Sequence, residues 1–299
     1  MPLEFRKLHP LFCAEVTRDG RPLDLRQVAD GATMEALRAG MDEYGVLVFP
    51  RQPFTDAEQL AFAERFDGTV HALIASPTVG RSRLGDDRLA DISNVDAQGQ
   101  LLAADDRKRM YSLANRLWHT DSSFREPAGR YSMLSARVIP AVRADTEFAD
   151  MRSAWEALDE ATRAQVAGLS AHHSVTHSRE ILGFSFTAEE HERLKGAVQP
   201  LVKTNPRTGR RSLCLASHAS RIIGWPVPEG RLLLADLMAH ATQPQFVHRH
   251  AWRDGDFVIW DNLATMHRAT AFDDIRHRRE LRRVTTLDIP LPAAVSTAA

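Results

Sequence analysis

The amino-acid sequence predicts an α+β protein, mainly β, in which a double-stranded β-helix (jelly roll) core is surrounded by helices. Three observations lead to this fold class. Short strand-like runs are numerous, turn-rich sequences join several of them as antiparallel hairpins, and a few helical segments fall between them. Many short antiparallel strands with helices packed outside them are typical of a jelly roll.

The first half of the chain mixes helices with short strands. Residues 33–44 predict a helix that leads into a buried strand at 45–50. Thr55 or Asp56 can cap a second helix that extends to about residue 66. The further elements predicted in this half are strands at 86–95, 131–139 and 146–148, and a helix at 153–167 with Ser153 and Glu156 as its capping box.

Strand signals dominate the second half. The turn-rich sequence N-P-R-T-G-R joins strand-like runs at 198–204 and 211–216. The other elements predicted here are a helix at 229–241, a second hairpin formed by 245–252 and 256–260 around Arg253-Asp254-Gly255, and a final strand at 279–288. The charged residues 177–197 are interpreted as an insertion near the mouth of the barrel and as a candidate lid.

The bulk composition is that of a single-domain soluble enzyme. The 299 residues are 43% hydrophobic and 26% charged, with a formal net charge of −1. Because no repeat or low-complexity linker interrupts the chain, we predict one domain over residues 1–299. The near-neutral charge gives no general attraction to nucleic acid or to an anionic membrane.

The termini and the cysteines indicate where the protein is found. The N-terminus has no apolar signal core, and no apolar run is long enough to span a membrane. Cys13 and Cys214 could form a disulfide, but two unpatterned cysteines are more typical of reduced cytosolic thiols. We therefore expect a cytoplasmic protein, and we also predict a homo-oligomer.

The run L-W-H-T-D-S-S-F at 117–124 is the strongest chemical signal. His119 and Asp121 are two residues apart, so on an extended segment their side chains point to the same face. His267 follows the strand-like run at 257–262 and could complete a two-histidine, one-carboxylate set. Such a set leaves about half of an octahedral iron(II) coordination sphere open for a chelating cosubstrate and O₂.

Other histidines compete for this role, because the chain has 13 of them. His248 and His250 alternate on a predicted strand, and His172 and His173 are adjacent. No carboxylate lies at ligand spacing beside either pair. We interpret the first as a solvent-facing pair on a half-exposed strand and the second as a loop pair.

The basic cluster R-H-R-R-E-L-R-R at 276–283 is the second constellation. Strand periodicity places Arg279 and Arg283 on one face and Arg278 and Arg282 on the other. Taken alone, the cluster could be a solvated basic edge. One face could instead direct two guanidinium groups into the barrel, where arginine binds carboxylates bidentately and stays charged when buried.

These segments together resemble the iron(II)/2-oxoglutarate-dependent dioxygenases of the taurine/2,4-D group. The resemblance extends from H-P-L-F at 9–12 to T-T-L-D at 285–288. It rests on L-W-H-T-D-S-S-F, R-Y-S-M-L-S-A (130–136), D-T-E-F-A-D-M-R (145–152), W-D-N (260–262), M-H-R (266–268) and R-R-E-L-R-R (278–283).

The resemblance implies a role for each of ten residues. His119, Asp121 and His267 would bind iron(II), and Thr146 and Arg279 would bind the distal carboxylate of the cosubstrate 2-oxoglutarate. The remaining residues that it implies are Trp260 beside the cosubstrate, Arg283 at the substrate carboxylate, and Asn115, His71 and His218 in the substrate pocket. His71 and His218 could equally be a loop histidine and a strand-end histidine.

The chain departs from the family's pattern in two places. Arg143-Ala144 stands where the family usually has a pair of glycines before the Asp-Thr. The spacing from His267 to Arg279 is one residue longer than is common in the group. Arg278 therefore remains an alternative cosubstrate ligand, although alignment on R-R-E-L-R-R favours Arg279.

The function implied by the resemblance is hydroxylation of the α-carbon of an aryloxyalkanoate such as 2,4-dichlorophenoxyacetate. The products would be a phenol, glyoxylate, succinate and CO₂. An alternative is the same chemistry on another small anion, such as a sulfonate or an arylalkanoate. Two further alternatives are a metal-binding jelly roll without oxygenase activity and a zinc-dependent hydrolase.

Overall fold

The computed structural model describes residues 2–71 and 83–289, which form sixteen strands and eight α-helices. The strands are β1 (Glu4–Lys7), β2 (Ala14–Arg18), β3 (Arg21–Pro22), β4 (Val46–Phe49), β5 (Ala90–Ser93), β6 (Gly129–Val138), β7 (Thr146–Asp150), β8 (Ser170–His173), β9 (Ala197–Pro200), β10 (Val202–Thr204), β11 (Arg211–Leu213), β12 (Ala219–Ile222), β13 (Val247–His250), β14 (Phe257–Asp261), β15 (Thr265–Ala269) and β16 (Glu280–Leu287). The α-helices are α1 (Gly31–Tyr44), α2 (Asp56–Asp67), α3 (Arg107–Ser112), α4 (Met151–Glu156), α5 (Glu160–Val166), α6 (Val175–Glu180), α7 (Ala188–Arg193) and α8 (Val227–Ala241).

Two sheets form the core. The larger has the order β1-β2-β4-β14-β6-β16-β5, with β3 paired to β2, and its central pairings are antiparallel. The second sheet has the order β13-β7-β15. Phe148 from β7 meets Trp260 from β14 at 5.5 Å between ring centroids, and Leu281 from β16 belongs to the same buried cluster. The two sheets therefore face each other across one core, and the predicted jelly roll with surrounding helices is confirmed.

Helices α1 and α2 cover the outer face of the larger sheet. Leu37 and Met41 from α1 and Phe62 from α2 are buried with Phe257 of β14. Thr55 and Glu58 form a capping box at the start of α2, as the first-turn sequence indicates. The residues predicted as helical at 33–44 and 56–66 therefore bury one apolar face against the sheet.

The helix predicted at 153–167 is instead two short helices, α4 and α5. Asp150 caps α4 by accepting from the backbone N–H of Arg152, and Asp159 caps α5 by accepting from that of Thr162. Ser153 does not act as the predicted cap, because its hydroxyl donates to Asp150 Oδ2 at 2.7 Å. A second N-cap inside the predicted span breaks the helix.

The second predicted hairpin is also wrong. β13 pairs with β7 in the smaller sheet, whereas β14 pairs with β4 and β6 in the larger one. The chain between them crosses from one sheet to the other, and Trp252 within this crossing is buried in the core cluster between the sheets. A turn-like sequence between two strands does not distinguish a hairpin from such a crossing.

The competing histidines are more buried than predicted. His250 is 5% exposed and lies 3.3 Å from Asp256, so 248 and 250 are not a solvent-facing pair. His172 and His173 are on strand β8 rather than in a loop, and His173 is fully buried. Tertiary packing, which the local sequence does not reveal, decides these environments.

Both cysteines and the predicted lid segment have defined environments. Cys13 and Cys214 are buried free thiols. Residues 177–197 contain most of α6 and all of α7, with Phe184 between them packed edge-on against Tyr111 at 5.7 Å. Whether this segment closes over the site stays a prediction.

Among the described residues, no helix combines the length and apolar character that crossing a membrane requires.

Candidate metal centre

The three predicted metal ligands come together in the structure. One ligand atom from each of His119, Asp121 and His267 lies within 4.8 Å of the other two, and all three residues are buried. His119 Nε2 is 4.0 Å from Asp121 Oδ1, and His267 Nε2 is 3.7 Å from Asp121 Oδ2. Among the described residues, this is the one group of three or more such side chains spaced to hold a metal ion.

Backbone pairing sets the distance between the two histidines. His267 is on β15, and His119 follows the short 3₁₀ helix Leu113–Arg116. The His119 N–H donates to the His267 carbonyl at 3.0 Å, and the His267 N–H donates back at 2.9 Å. This single antiparallel bridge places the two rings 4.2 Å apart, centroid to centroid.

The protonation states of the three residues suit metal binding. Burial lowers the pKa of both His119 and His267, for His267 well below the ordinary value. Burial alone would raise the pKa of Asp121, but the charge of Arg283, with a hydrogen bond from Ser132, helps to lower it to about 2. At neutral pH the site therefore presents two neutral imidazoles and one carboxylate.

A hydrogen bond fixes His119 in the tautomer that leaves Nε2 free to bind a metal. Its Nδ1 lies 2.8 Å from the Leu117 carbonyl, and because a carbonyl can only accept, Nδ1 must carry the proton. The lone pair is left on Nε2, the atom nearer Asp121. Two imidazole nitrogens and one carboxylate on a common face fit a divalent metal such as iron(II).

Asp121 is held from three sides. The Ser132 hydroxyl donates to Asp121 Oδ2 at 2.7 Å, Asn262 Oδ1 accepts from the Asp121 N–H at 3.1 Å, and Arg283 Nη1 donates to Oδ1. Gly129 on β6 is required nearby, because a Cβ there would lie 2.8 Å from a Thr285 methyl group and 3.1 Å from the Asp121 carbonyl oxygen. Close packing thus fixes the carboxylate before any metal binds.

The predicted cosubstrate residues lie around Asp145. The Thr146 hydroxyl accepts from Trp252 Nε1 at 2.9 Å, and Arg279 Nε donates to the Ala144 carbonyl at 3.2 Å. Arg279 is 7% exposed, and burial lowers its pKa to about 10, so it remains charged at neutral pH.

Arg278 and Trp260 have different surroundings. The Arg278 side chain is 49% exposed and pairs with Glu280. Trp260 is buried against His267, with 4.6 Å between ring centroids. Arg279 is thus the buried arginine of the two, and Trp260 supports a metal ligand.

The predicted substrate residues are dispersed around the metal centre. Arg283 contacts Asp121 directly, and the His218 ring lies 5.9 Å from the His119 ring. His71 Nε2 is 3.2 Å from Arg125 Nη1. Asn115 lies in the 3₁₀ helix before His119 and lines a cavity together with Arg279. The structure therefore places Asn115 nearer to the predicted cosubstrate residues than expected.

Comparison with known proteins identifies the family. A model of the family described as "Taurine catabolism dioxygenase TauD, TfdA family" matches residues 4–285. The chain belongs to this family. Its members are 2-oxoglutarate-dependent dioxygenases, so the protein is an enzyme of that class.

Several relatives are similar over nearly the whole chain. The "Alpha-ketoglutarate-dependent 2,4-dichlorophenoxyacetate dioxygenase" of Cupriavidus pinatubonensis is 45% identical over 282 residues, which are 94% of this chain and 96% of the relative. A protein of the same name from a Burkholderia species is 44% identical over 288 residues, 96% of this chain and 95% of the relative. The crystal structure of AAD-2 in complex with Mn(II) and N-oxalylglycine matches with a TM-score of 0.90 and 43% identity, covering 96% of this chain and 98% of AAD-2.

Sequence reasoning missed the residues that support the TauD, TfdA family site in this chain. Ser132 and Asn262 hold Asp121, and Asn94 Oδ1 accepts from the backbone N–H of Arg279 at 2.8 Å. Ser132 and Asn262 fall inside the motifs R-Y-S-M-L-S-A and W-D-N. The sequence therefore marked both residues, but it did not show that they contact Asp121. Asn94 gives no such signal, because its contact spans 185 residues.

We expect Ser132→Ala to weaken iron binding by about tenfold to a hundredfold, because it removes a hydrogen bond that orients a ligating carboxylate. Iron affinity is measured by titrating the metal-free protein. Ser135→Ala is the matched control, since Ser135 is equally buried on β6 but its hydroxyl makes no hydrogen bond within the described residues. Equal affinities in the two variants would contradict the role of Ser132.

The burial of His173 leads us to expect that the folded state loses stability in acid. Burial, with smaller contributions from Lys203 and His172, lowers its pKa from 6.5 to about 3. The unfolded chain therefore binds this proton more readily, and stability is lost as the pH falls below about 6.5. We expect His173→Asn to reduce the loss of unfolding free energy between pH 7 and 4 by on the order of 3 kcal/mol. Identical pH profiles from denaturant titration would contradict this expectation.

Proposed function

We propose that this protein is an iron(II)- and 2-oxoglutarate-dependent dioxygenase that hydroxylates the α-carbon of an aryloxyalkanoate such as 2,4-dichlorophenoxyacetate. The observation that supports this most is the position of Arg283, a cation in direct contact with the metal-binding carboxylate Asp121. Relatives at 44–45% identity that carry the 2,4-dichlorophenoxyacetate name support the substrate class.

His119, Asp121 and His267 would hold iron(II). Iron(II) bound there supplies, with 2-oxoglutarate and O₂, the oxidising power for hydroxylation, and succinate and CO₂ are formed. The hydroxylated α-carbon of an aryloxyacetate is a hemiacetal, which collapses to a phenol and glyoxylate. The protein's own contribution is to bind the two acids and to orient them.

Thr146 and Arg279 are suited to binding the distal carboxylate of 2-oxoglutarate. The Thr146 hydroxyl accepts from Trp252, so its own hydrogen remains available to donate to a carboxylate oxygen. Arg279 is buried and charged; it donates to a neutral carbonyl and forms no ion pair within the described residues, although Asp145 lies near enough to favour its charge. The mimic N-oxalylglycine bound in AAD-2 supports a 2-oxoglutarate site in this fold.

Arg283 would anchor the substrate carboxylate. Because it contacts a metal ligand, an acid bound to this arginine has its α-carbon next to the metal centre. Holding one end of the substrate in this way selects the bond that reacts and reduces the entropy to be lost in the reaction. An unanchored substrate could present other carbons.

The same site could take another small organic anion, such as a sulfonate or an arylalkanoate. An arginine can bind a sulfonate group or the carboxylate of an arylalkanoate in the same way as it binds the carboxylate of an aryloxyacetate. A panel of acids sharing the carboxylate but differing in the ether oxygen tests the assignment. Phenol release from aryloxyacetates in preference to oxidation of the arylalkanoates would support it, and the reverse order would contradict it.

We also propose a cytoplasmic, homo-oligomeric enzyme. The two buried free thiols are compatible with a reducing compartment. Exposed apolar side chains such as Leu232 (67% exposed) and Val198 (53%) are candidates for a subunit contact. Sedimentation of the purified protein tests the oligomer, and a monomer at micromolar concentration would contradict it.

Arg283→Ala is expected to raise the KM for the acid substrate by about tenfold to a hundredfold, because it removes charge-assisted hydrogen bonds to the carboxylate. The KM for 2-oxoglutarate, measured in the same assays, should change far less. A larger effect on 2-oxoglutarate than on the substrate would show that the roles assigned to Arg279 and Arg283 are exchanged.

A further inference from the structure

Arg179 is a buried cation that the function described above does not use. It lies in α6, near the start of the segment 177–197, and is 6% exposed. Its guanidinium carbon is 4.6 Å from the centroid of the Tyr111 ring, and its Nη1 donates to the Ser178 hydroxyl at 2.7 Å. Both contacts fix the guanidinium in place without neutralising its charge.

Arg179 has no anionic partner in the described structure. Its Nε is buried without a hydrogen-bond partner, and no carboxylate of residues 2–71 or 83–289 forms an ion pair with it. The remaining residues, 1, 72–82 and 290–299, contain no aspartate or glutamate. Because a buried charge without a counter-charge is costly, an anion from outside the chain is the expected partner.

The position of Arg179 relates it to the metal centre. The Ser178 hydroxyl that binds Nη1 also lies 2.9 Å from Nδ1 of His218, whose ring is 5.9 Å from that of His119. The charge of Arg179 also interacts favourably with Asp121 and unfavourably with Arg283. Arg179 therefore lies on the His218 side of the same site.

Burial lowers the pKa of His218 well below its ordinary value, so His218 is neutral, and the hydrogen bonds fix which of its nitrogens carries the proton. Ser178 donates its single hydroxyl hydrogen to the Val175 carbonyl at 2.8 Å, so it can only accept from Arg179 and from His218 Nδ1. His218 thus carries its proton on Nδ1 and offers Nε2 as an acceptor. It cannot donate from Nε2 to a carboxylate, contrary to a direct role in binding an acid.

We propose that Arg179 is a second anion-binding residue of the substrate pocket, which together with Arg283 recognises the anionic head group of the substrate. This inference rests on the proposed function. Arg283 alone is partly neutralised by Asp121, its partner in the structure. Arg179 supplies a buried charge that forms no ion pair within the described residues, so the pocket favours an ionised acid over a neutral analogue of the same shape.

The test compares Arg179→Met with Arg107→Met. Arg107 is a matched control, because its guanidinium also lies 4.6 Å from an aromatic ring, that of Phe184, but its side chain is 48% exposed and pairs with Glu190. The measurements are KM for 2,4-dichlorophenoxyacetate and for 2-oxoglutarate, and the Kd for binding of the acid and of its neutral amide, 2,4-dichlorophenoxyacetamide, to the iron(II)-loaded protein by calorimetry without O₂.

We expect Arg179→Met to raise both the KM and the Kd for the acid by about tenfold to a hundredfold. The KM for 2-oxoglutarate and the Kd for the amide should stay near wild type, so the preference for acid over amide collapses. Arg107→Met should leave all of these constants unchanged. A folded Arg179→Met protein with an unaltered acid-over-amide preference would overturn the proposal.

A second variant guards against misfolding. Arg179→Gln is neutral but can still donate to Ser178, and we expect it to lose the same preference; retention would again refute the proposal. The two proposals fail differently. Wild-type turnover of the acid that does not depend on Arg179 refutes only the arginine's role. Arg179-dependent binding of a different anion, with no binding of the aryloxyacetate, refutes only the substrate assignment.

Discussion

Replacement of Asp121 by alanine is expected to abolish iron-dependent turnover, with activity falling by more than about a hundredfold, the upper range for losing a residue that merely orients a ligand. Asp121 is the one carboxylate in the described metal cluster, and it lies between both histidines. Without it, two imidazoles remain, and the variant protein should also lose iron in an equilibrium titration.

A buried carboxylate outside the metal centre is the control for this variant. The Asp91 side chain is 5% exposed, and it pairs with Arg83 and with Arg282 of β16. Asp91→Ala removes a comparable ion pair and should lower stability, yet the folded protein should keep its iron. Iron content near wild type in Asp121→Ala would contradict the metal assignment.

Arg279→Met is expected to raise the KM for 2-oxoglutarate by about a hundredfold or more, because it removes a buried guanidinium from a carboxylate pair. Arg278→Met is the matched neighbour, since Arg278 is half-exposed and its partner is Glu280. That variant should change the KM for 2-oxoglutarate little. Steady-state kinetics at saturating acid substrate separates the two.

The same kinetics decide whether Arg278 or Arg279 binds the cosubstrate, a choice that the sequence left open. A large effect in Arg278→Met together with a small one in Arg279→Met would contradict the assignment of the cosubstrate residue. An effect of Arg279→Met on the acid substrate alone would instead place Arg279 in the substrate pocket.

Two of the three residues of the metal cluster give a local signal in the sequence. The spacing of His119 and Asp121 places both side chains on one face, and the strand before His267 fixes the end at which the third ligand lies. Strand periodicity placed Arg278 and Arg279 on opposite faces without showing which face is buried, and the family resemblance favoured Arg279, which is the buried one. The spacing of His119 and Asp121 needs only the geometry of one extended segment, whereas the choice of His267 and of Arg279 also needed the family resemblance.

Features that depend on distant contacts could not be predicted in this way. The strands β13 and β14 are close in sequence, but their partners are more than 90 residues away in different sheets. Arg179 lies in a segment whose charge pattern indicates an insertion near the mouth of the barrel, and nothing in that pattern predicts its contact with Tyr111 or its burial. Local patterns do not record which partners the fold brings together.

The most direct test of the proposed function is aerobic turnover of the purified protein with iron(II), 2-oxoglutarate and 2,4-dichlorophenoxyacetate, with succinate and phenol followed together. We expect equimolar succinate and 2,4-dichlorophenol, because one hydroxylation consumes one 2-oxoglutarate and releases one phenol. Succinate without phenol would contradict the aryloxyalkanoate assignment. Neither product from iron-loaded protein would contradict the dioxygenase function itself.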